Sequence, residues 1–386
     1  MAGMVAPAVR HKEVSGYIRR VFGKNLHLKR IESLSNGTLG VMTGASLAVC
    51  MIGQALAQAR GLMTKHATKQ VDRLLSNMAI DVWGLFAQWV PEVIGGARDI
   101  TVVMDWTDFD ADDQATLVLS RVTRHGRAAP LIWLSVWKDE LTDQRNSFED
   151  AALRRLAEVL PEGVSVTILA DRGFADRKLL AFLTRLGFDY VIRLRGNIRV
   201  TAADGERRDA ADWVGHQGRA RKLRDAAVTA AGHPVPAVVC VHARDMKEPW
   251  CLATSKAEAT APAIIKLYAR RWTIEPSFRD TKDLRFGMGL SAVRVSDPQR
   301  RDRMLLLSAF ATMLLTLLGQ AGESLGMDRH LKTNTSNTRT HSLFRQGCML
   351  YDLIATMPDH RLRPLIQRFD ETLNQKPIFS ELAAAL

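Results

Sequence analysis

Cysteine is scarce in this chain. The four present, Cys50, Cys240, Cys251 and Cys348, form no C-x-x-C pair, and no Cys/His spacing resembles a zinc site. That excludes a disulfide scaffold and a structural zinc domain and fits a reducing, cytosolic setting. Long apolar runs are also missing. Residues 304–318 are strongly hydrophobic but number only fifteen, short of the roughly 20 that a membrane span needs. Residues 33–59 carry no charge but are diluted by Gly, Ser, Thr, Asn and Gln, and the G-x-x-x-G of Gly40 and Gly44 is a weak signal outside a true span. Both stretches are expected to be buried helices of a soluble protein with no membrane partner. The opening MAGMVAPAVRHKE turns charged too soon for a signal peptide. No internal repeat or low-complexity tract is visible. Acidic residues are rare at the start: residues 1–75 hold only Glu13, Glu32 and Asp72 against eleven Lys and Arg.

That last imbalance belongs to a chain of net charge +12 and pI near 9.8. Such an excess points to a polyanionic partner, nucleic acid before an anionic membrane, although a merely solvated basic surface has the same composition. With 386 residues, 47% of them hydrophobic, the chain can bury a sizeable core in one large domain or two to three smaller ones.

Residues 1–90 read as helical and basic. In KHATKQVDRLLSN, Val71, Leu74 and Leu75 share one helical face, while Lys65, Lys69 and Arg73 line another at i, i+4 and i+8. The basic stripe suits contact with phosphates, or is an ordinary solvated face. The pattern changes near residue 98. Ile100–Met104 is a β-rich run ending at Asp105. Strands are predicted at 115–124 and 130–137, a helix from a capping box at Ser147 over 147–159, and a strand at 164–170 ending at Asp171. Helix 177–186 and strand 190–194 follow. The product is an α/β fold with a mixed sheet flanked by helices. Residues 195–256 read as a β-rich insertion with strands at 235–241 and 250–254. Helical periodicity then runs over 258–284. Three regions result: 1–90, helical and basic; 98–325, the α/β region with its insertion; and 326–386, a helical C-terminal region with a polar loop at 332–342.

Asp105 and Asp171 each follow an apolar strand, and the carboxyl edge of an open sheet is where ligands bind. Were the two strands neighbours, the carboxylates would converge and require a cation; Mg2+ prefers oxygen ligands and is shared with phosphates. The plain alternative is that each aspartate caps a turn. The other acids of DWTDFDADD (Asp108, Asp110, Asp112 and Asp113) lack the Gly and Glu offsets of a calcium loop and are expected to form a solvated turn. In YARRWTIEPSFRDTK, Tyr268, Arg271, Glu275 and Lys282 fit Y-x2-R-x3-E-x6-K, which an ideal helix presents on one face. One carboxylate among two cations can complete a metal site while Arg and Lys grip phosphates. A surface Arg–Glu pair is the alternative. Pro276 directly after Glu275 requires a kink or restart, which leaves the facing of Lys282 open.

Through these residues the chain resembles the DDE transposases of the insertion-sequence-four family, over roughly residues 60–320. Asp105 in DWT, Asp171 in ADRGF and Glu275 match the family's three carboxylates. The resemblance implies an RNase H-like catalytic domain with a β-rich insertion between the second aspartate and the glutamate. It implies Tyr268, Arg271 and Lys282 holding DNA near the transposon end, and two catalytic Mg2+ ions that Mn2+ can replace. Trp250, at the start of the strand before the signature, matches a tryptophan that stacks on a flipped base in similar enzymes; plain core is the alternative. The expected partners are double-stranded DNA, both terminal inverted repeats and target, with a homodimer on DNA in the bacterial cytoplasm. A nuclease of the same fold that never joins, and a DNA-binding protein with a dead site, are the rivals. The Arg-rich stretch from Arg193 to Arg224 could line the DNA channel or be a solvated surface.

Overall fold

The computed structural model describes residues 11–123, 125–336 and 338–374; the expectations for residues 1–10 and 375–386 lie outside these. Five helices come first: α1 (His11–Phe22), α2 (Leu28–Gly44), α3 (Val49–Arg60), α4 (Thr64–Leu75) and α5 (Val82–Ile94). The charge-free segment is not one helix. It breaks after Gly44, where Ala45 takes φ +45°, and α3 leaves α2 at 96°. The G-x-x-x-G works inside this corner: a Cβ on Gly40 would sit 2.7 Å from the Ile52 carbonyl oxygen, so glycine alone lets the two helices touch.

Then come β1 (Asp99–Phe109), β2 (Gln114–Val122), β3 (Ala128–Trp137), α6 (Arg145–Val159), β4 (Ser165–Ala170), α7 (Arg177–Arg185) and β5 (Asp189–Leu194). The insertion holds β6 (Arg199–Thr201), β7 (Arg207–Asp209), β8 (Arg221–Val228), β9 (His233–Val241) and β10 (Trp250–Thr254). All ten strands form one sheet, in the order β3-β2-β1-β4-β5-β10-β9-β8-β6-β7. β1, β4 and β5 run parallel; the other pairings are antiparallel. This is the mixed, helix-flanked sheet of the RNase H-like expectation, and the insertion prolongs it edge to edge.

The chain closes with α8 (Ala261–Ala269), α9 (Ile274–Lys282), α10 (Pro298–Ser324), α11 (Leu343–Leu353) and α12 (Asp359–Asn374). α10 is long and apolar enough by composition to cross a membrane, but 83% of its most apolar window is buried within the protein. The N-terminal helices wrap it: Phe310 takes edge-to-face contacts from Tyr17, Phe22 and Trp89, with ring centroids 5.2–5.9 Å apart. α10 also docks on β3. Trp133 Nε1 donates to the Asp302 carbonyl (3.1 Å), and the Ser135 N–H donates to the Asp302 carboxylate (3.1 Å). Burial raises that half-buried carboxyl to about 8.

Alternation along the strands divides the interior. Val102, Met104, Ile168, Ala170 and Ile192 belong to the large core with α5, α6, α7 and α10. Val103, Leu169, Val191 and Leu252 belong to a smaller cluster with Ile264, Tyr268 and Ile274. α8 and α9 therefore cover one sheet face, and Asp105, two residues on from Val103, points to that same face.

Two local expectations fail. No capping box opens α6, because the helix starts at Arg145. Ser147 bonds Gln144, and Glu149 is buried as the acceptor for Trp106 Nε1 (2.9 Å) and Arg145 Nε (3.2 Å). Nor is the acidic run a wholly solvated turn. Asp108, Asp110 and Asp113 are exposed, but Asp112 is only 7% exposed and accepts from Arg301 (2.5 Å) and the Val295 N–H (3.1 Å). Arg301, fully buried, also lies over the Phe109 ring at 3.7 Å, so this pair ties the β1–β2 turn to α10.

Candidate active site

β1 and β4 are parallel neighbours whose last registered pair is Met104 and Ala170. The next residue on each strand is an aspartate, so Asp105 and Asp171 emerge side by side. β4 ends there, whereas β1 continues to Phe109 paired only with β2. Asp105 is thus a mid-strand residue at the point where parallel pairing stops, not a strand end. Asp171 does cap a turn: its Oδ1 accepts from the Gly173 N–H at 2.7 Å. One oxygen serves the turn and the other is left for further partners.

The signature is not one ideal helix. α8 carries Tyr268, a 3-10 turn over Arg270–Thr273 carries Arg271, and α9 restarts at Ile274. Pro276 falls third in α9, where its missing N–H costs no intrahelical bond. The restart satisfies the proline and keeps Arg271 in reach of Glu275.

Arg271 is the hub. Its Nη1 lies 3.5 Å from Asp105 Oδ2 and its Nη2 lies 3.5 Å from Glu275 Oε1, with the side chain only 10% exposed. Its Nε is buried without a partner among the described residues, and its guanidinium lies 5.0 Å from the exposed Trp272 ring. Asp105 is raised to about 6, first by burial and then by the negative charges of Asp171 and Glu275, against the pull of Arg271 and the Trp106 N–H. The three carboxylates therefore share one electrostatic neighbourhood with Arg271 among them. Among the described residues, no three Asp, Glu, His or Cys side chains converge closely enough to hold an ion as they stand. In chemical type, an oxygen-only donor set of three carboxylates, with Asp105 partly desolvated and Glu275 open to solvent, fits a hard divalent cation.

Tyr268 is buried beneath Arg271, and burial keeps its phenol neutral by raising it to about 12. Trp250 packs edge-on to it, with ring centroids 5.0 Å apart at 77°, and stays half-buried. Trp250 is neither sealed in the core nor free. Lys282 Nζ donates to Thr107 Oγ1 (3.0 Å) and to the Asp108 carbonyl (2.7 Å), on the stretch of β1 just beyond Asp105. Thr107 shares the strand face of Asp105, so Lys282 lines the same side of the site.

On α4, Ala67, Val71, Leu74 and Leu75 are buried. Lys65, Lys69 and Arg73 are exposed and make no ion pair among the described residues. Several cations of the Arg-rich insertion have local partners. Arg208 and Arg221 sandwich Trp213 at 5.0 and 4.8 Å, Lys222 donates to the Ala257 and Ala259 carbonyls, and Arg199 and Arg224 pair with Asp209 and Glu258. Arg193 is different: it sits on β5 beside the site and, with Arg172, holds Glu248. Sequence reasoning passed over Arg172 and Glu248, because only the fold brings 172, 193 and 248 together.

Residues 136–314, under half of the chain, match the family model described as transposase DDE domain. The matched segment contains Asp171, Trp250 and the whole signature; Asp105 precedes it. No curated protein matches the chain. The family match supports a DDE transposase, a DNA-processing enzyme of a kind that uses divalent metal ions and binds DNA.

Proposed function

We propose that this protein is a cut-and-paste transposase of the insertion-sequence-four type, with Asp105, Asp171 and Glu275 as its catalytic carboxylates. The observation that carries this reading is the shared field at Asp105, where Asp171 and Glu275 both act on a desolvated carboxyl held by the signature arginine. Asp105, Asp171 and Glu275 would hold two divalent ions, Mg2+ by preference with Mn2+ as substitute. When bound, the ions supply a nucleophilic water and stabilise the attacking and leaving oxygens.

The chain's own residues position the DNA. Arg271 and Lys282 grip backbone phosphates beside the carboxylates. Tyr268 stays neutral and offers a hydroxyl donor. Cleavage frees a 3′-OH that attacks the opposite strand to form a hairpin and later attacks target DNA, with no protein–DNA bond. Residues 1–90 recognise the terminal inverted repeats through the α4 stripe, 98–325 performs the chemistry as a homodimer on DNA, and 326–386 supports it. The setting is the bacterial cytoplasm.

The test is cleavage of DNA carrying the repeats that flank the reading frame. Asp105→Ala, Asp171→Ala and Glu275→Ala should each abolish cleavage and leave end binding largely intact. Near-normal cleavage by Asp171→Ala would remove the assignment. Joined products from a pre-cut end separate a transposase from a nuclease that only cuts.

A further inference from the structure

Glu248 lies in the loop between β9 and β10, two residues before Trp250, and a single oxygen of its carboxylate serves two arginines. Glu248 Oε2 is 2.8 Å from Arg172 Nη1 and 2.8 Å from Arg193 Nη2. Arg172 directly follows Asp171. Arg193 stands on β5, only 18% exposed, with its Nη2 also on the Pro249 carbonyl (3.3 Å). The arrangement is lopsided. Two guanidinium groups converge on one carboxylate, and the Arg193 Nε is buried with no partner among the described residues. Arg193 also lies close enough to Tyr268 to act on its phenol electrostatically. The pair is therefore continuous with the signature residues.

Two converging guanidiniums with donors to spare match an anion with more oxygens than a carboxylate, and Arg forks suit phosphate geometry. Glu248 and Arg172 are each 52% exposed, and exposed ion pairs are weak, so the occupant can leave. We propose that Arg172 and Arg193 form a phosphate-binding subsite for the DNA backbone, and that Glu248 fills it as an internal stand-in until DNA displaces it. The inference rests on the DNA-processing reading above and adds a named place for one phosphate beside Asp171.

The experiment measures duplex DNA binding to the full chain by anisotropy in EDTA, with inorganic pyrophosphate as an independent probe by thermal melt. Glu248→Gln should bind DNA about two- to thirtyfold tighter, the fold-change set by two ion pairs that share a half-exposed carboxylate. Adding Arg172→Ala and Arg193→Ala should cancel the gain. Glu258→Gln, which removes a more exposed carboxylate paired to the single arginine Arg224, should give little gain. Pyrophosphate should raise the melting temperature of Glu248→Gln more than that of the unmodified chain, and not when both arginines are gone. Should Glu248→Gln fold poorly, Glu248→Asp, which draws the carboxylate back by one methylene, should show a smaller gain of the same sign. A gain that survives loss of the arginines, or no gain in a variant that melts normally, overturns the proposal. A pyrophosphate response without any DNA binding keeps the subsite and overturns the DNA reading instead.

Discussion

Arg271 approaches Asp105 and Glu275 at 3.5 Å each, and so holds apart two carboxylates that lie 170 residues from each other in sequence. It is a built-in cation in a site whose chemistry calls for added ones. Removing one partner of a fully buried ion pair costs about 3–5 kcal/mol; with Glu275 46% exposed and both contacts at 3.5 Å, solvent screening makes the loss here smaller. Arg271→Ala should therefore lower the melting temperature of the metal-free protein, and Mg2+ should recover more stability in the variant than in the unmodified chain. Melts with and without magnesium chloride check this without any activity assay. An identical magnesium response in both proteins would place the ions elsewhere.

The α4 stripe is expected to contact DNA phosphates. Replacing Lys65, Lys69 and Arg73 together by Gln should leave the fold unchanged, since all three are exposed and unpaired among the described residues. Each lost phosphate contact should flatten the slope of log K against log salt by about 0.9. A triple variant with an unaltered slope on end DNA would show that α4 does not touch the backbone.

Trp250 sits between two roles, half-buried and edge-on to Tyr268. Stacking on a flipped base is worth about 1–3 kcal/mol, or roughly five- to 150-fold in rate. Trp250→Ala should spare the first nick and slow hairpin closure by that factor. Because the ring is not sealed in the core, its loss should cost less stability than the about 3–5 kcal/mol of a buried Trp. A time course of nicked and hairpin products beside a melt decides; equal slowing of both steps with a large drop in melting temperature would assign the ring to packing.

Asp302 should govern a pH dependence unrelated to catalysis. Burial raises its carboxyl from 3.8 to about 8. A folded-state value above the unfolded one means that its contribution is fully present below about pH 4 and is lost as pH rises through about 8. Asp302→Asn keeps an acceptor for the Ser135 N–H and cannot ionise. It should remove that decline and gain up to about 5 kcal/mol over the unmodified chain at pH 8–9, with no gain near pH 4. Urea melts across this range measure it.

The sheet was legible where strands are apolar and bounded. β10 begins and ends at the predicted residues because Pro249 and the polar Ser255 bracket five residues that pack on both neighbours. β1 was cut short because Asp105–Asp108 alternate at an edge covered only by β2, so half of a true strand reads as a polar turn. The α2–α3 corner was invisible because Ala45, not Gly or Pro, takes the left-handed conformation. Ser147 and Asp150, three apart, copy a capping box, yet the helix already runs from Arg145, so Ser147 lies inside its first turn. In the site, the two aspartates and the signature could be picked out by spacing. The Arg172–Glu248–Arg193 bridge could not, since nothing local marks a carboxylate that will meet one arginine from the turn after β4 and another from β5.

Because β10 hydrogen-bonds β5 on one side and β9 on the other, the ladder acts as a gauge for what the insertion delivers. Side chains alternate along it, so adding or deleting one residue within Trp250–Thr254 would turn the indole to the opposite face, away from Tyr268. A residue added to the 202–206 turn at the far rim would shift nothing near the carboxylates. Length variation should thus be tolerated at one end of the insertion and forbidden at the other, although both belong to the same run of strands.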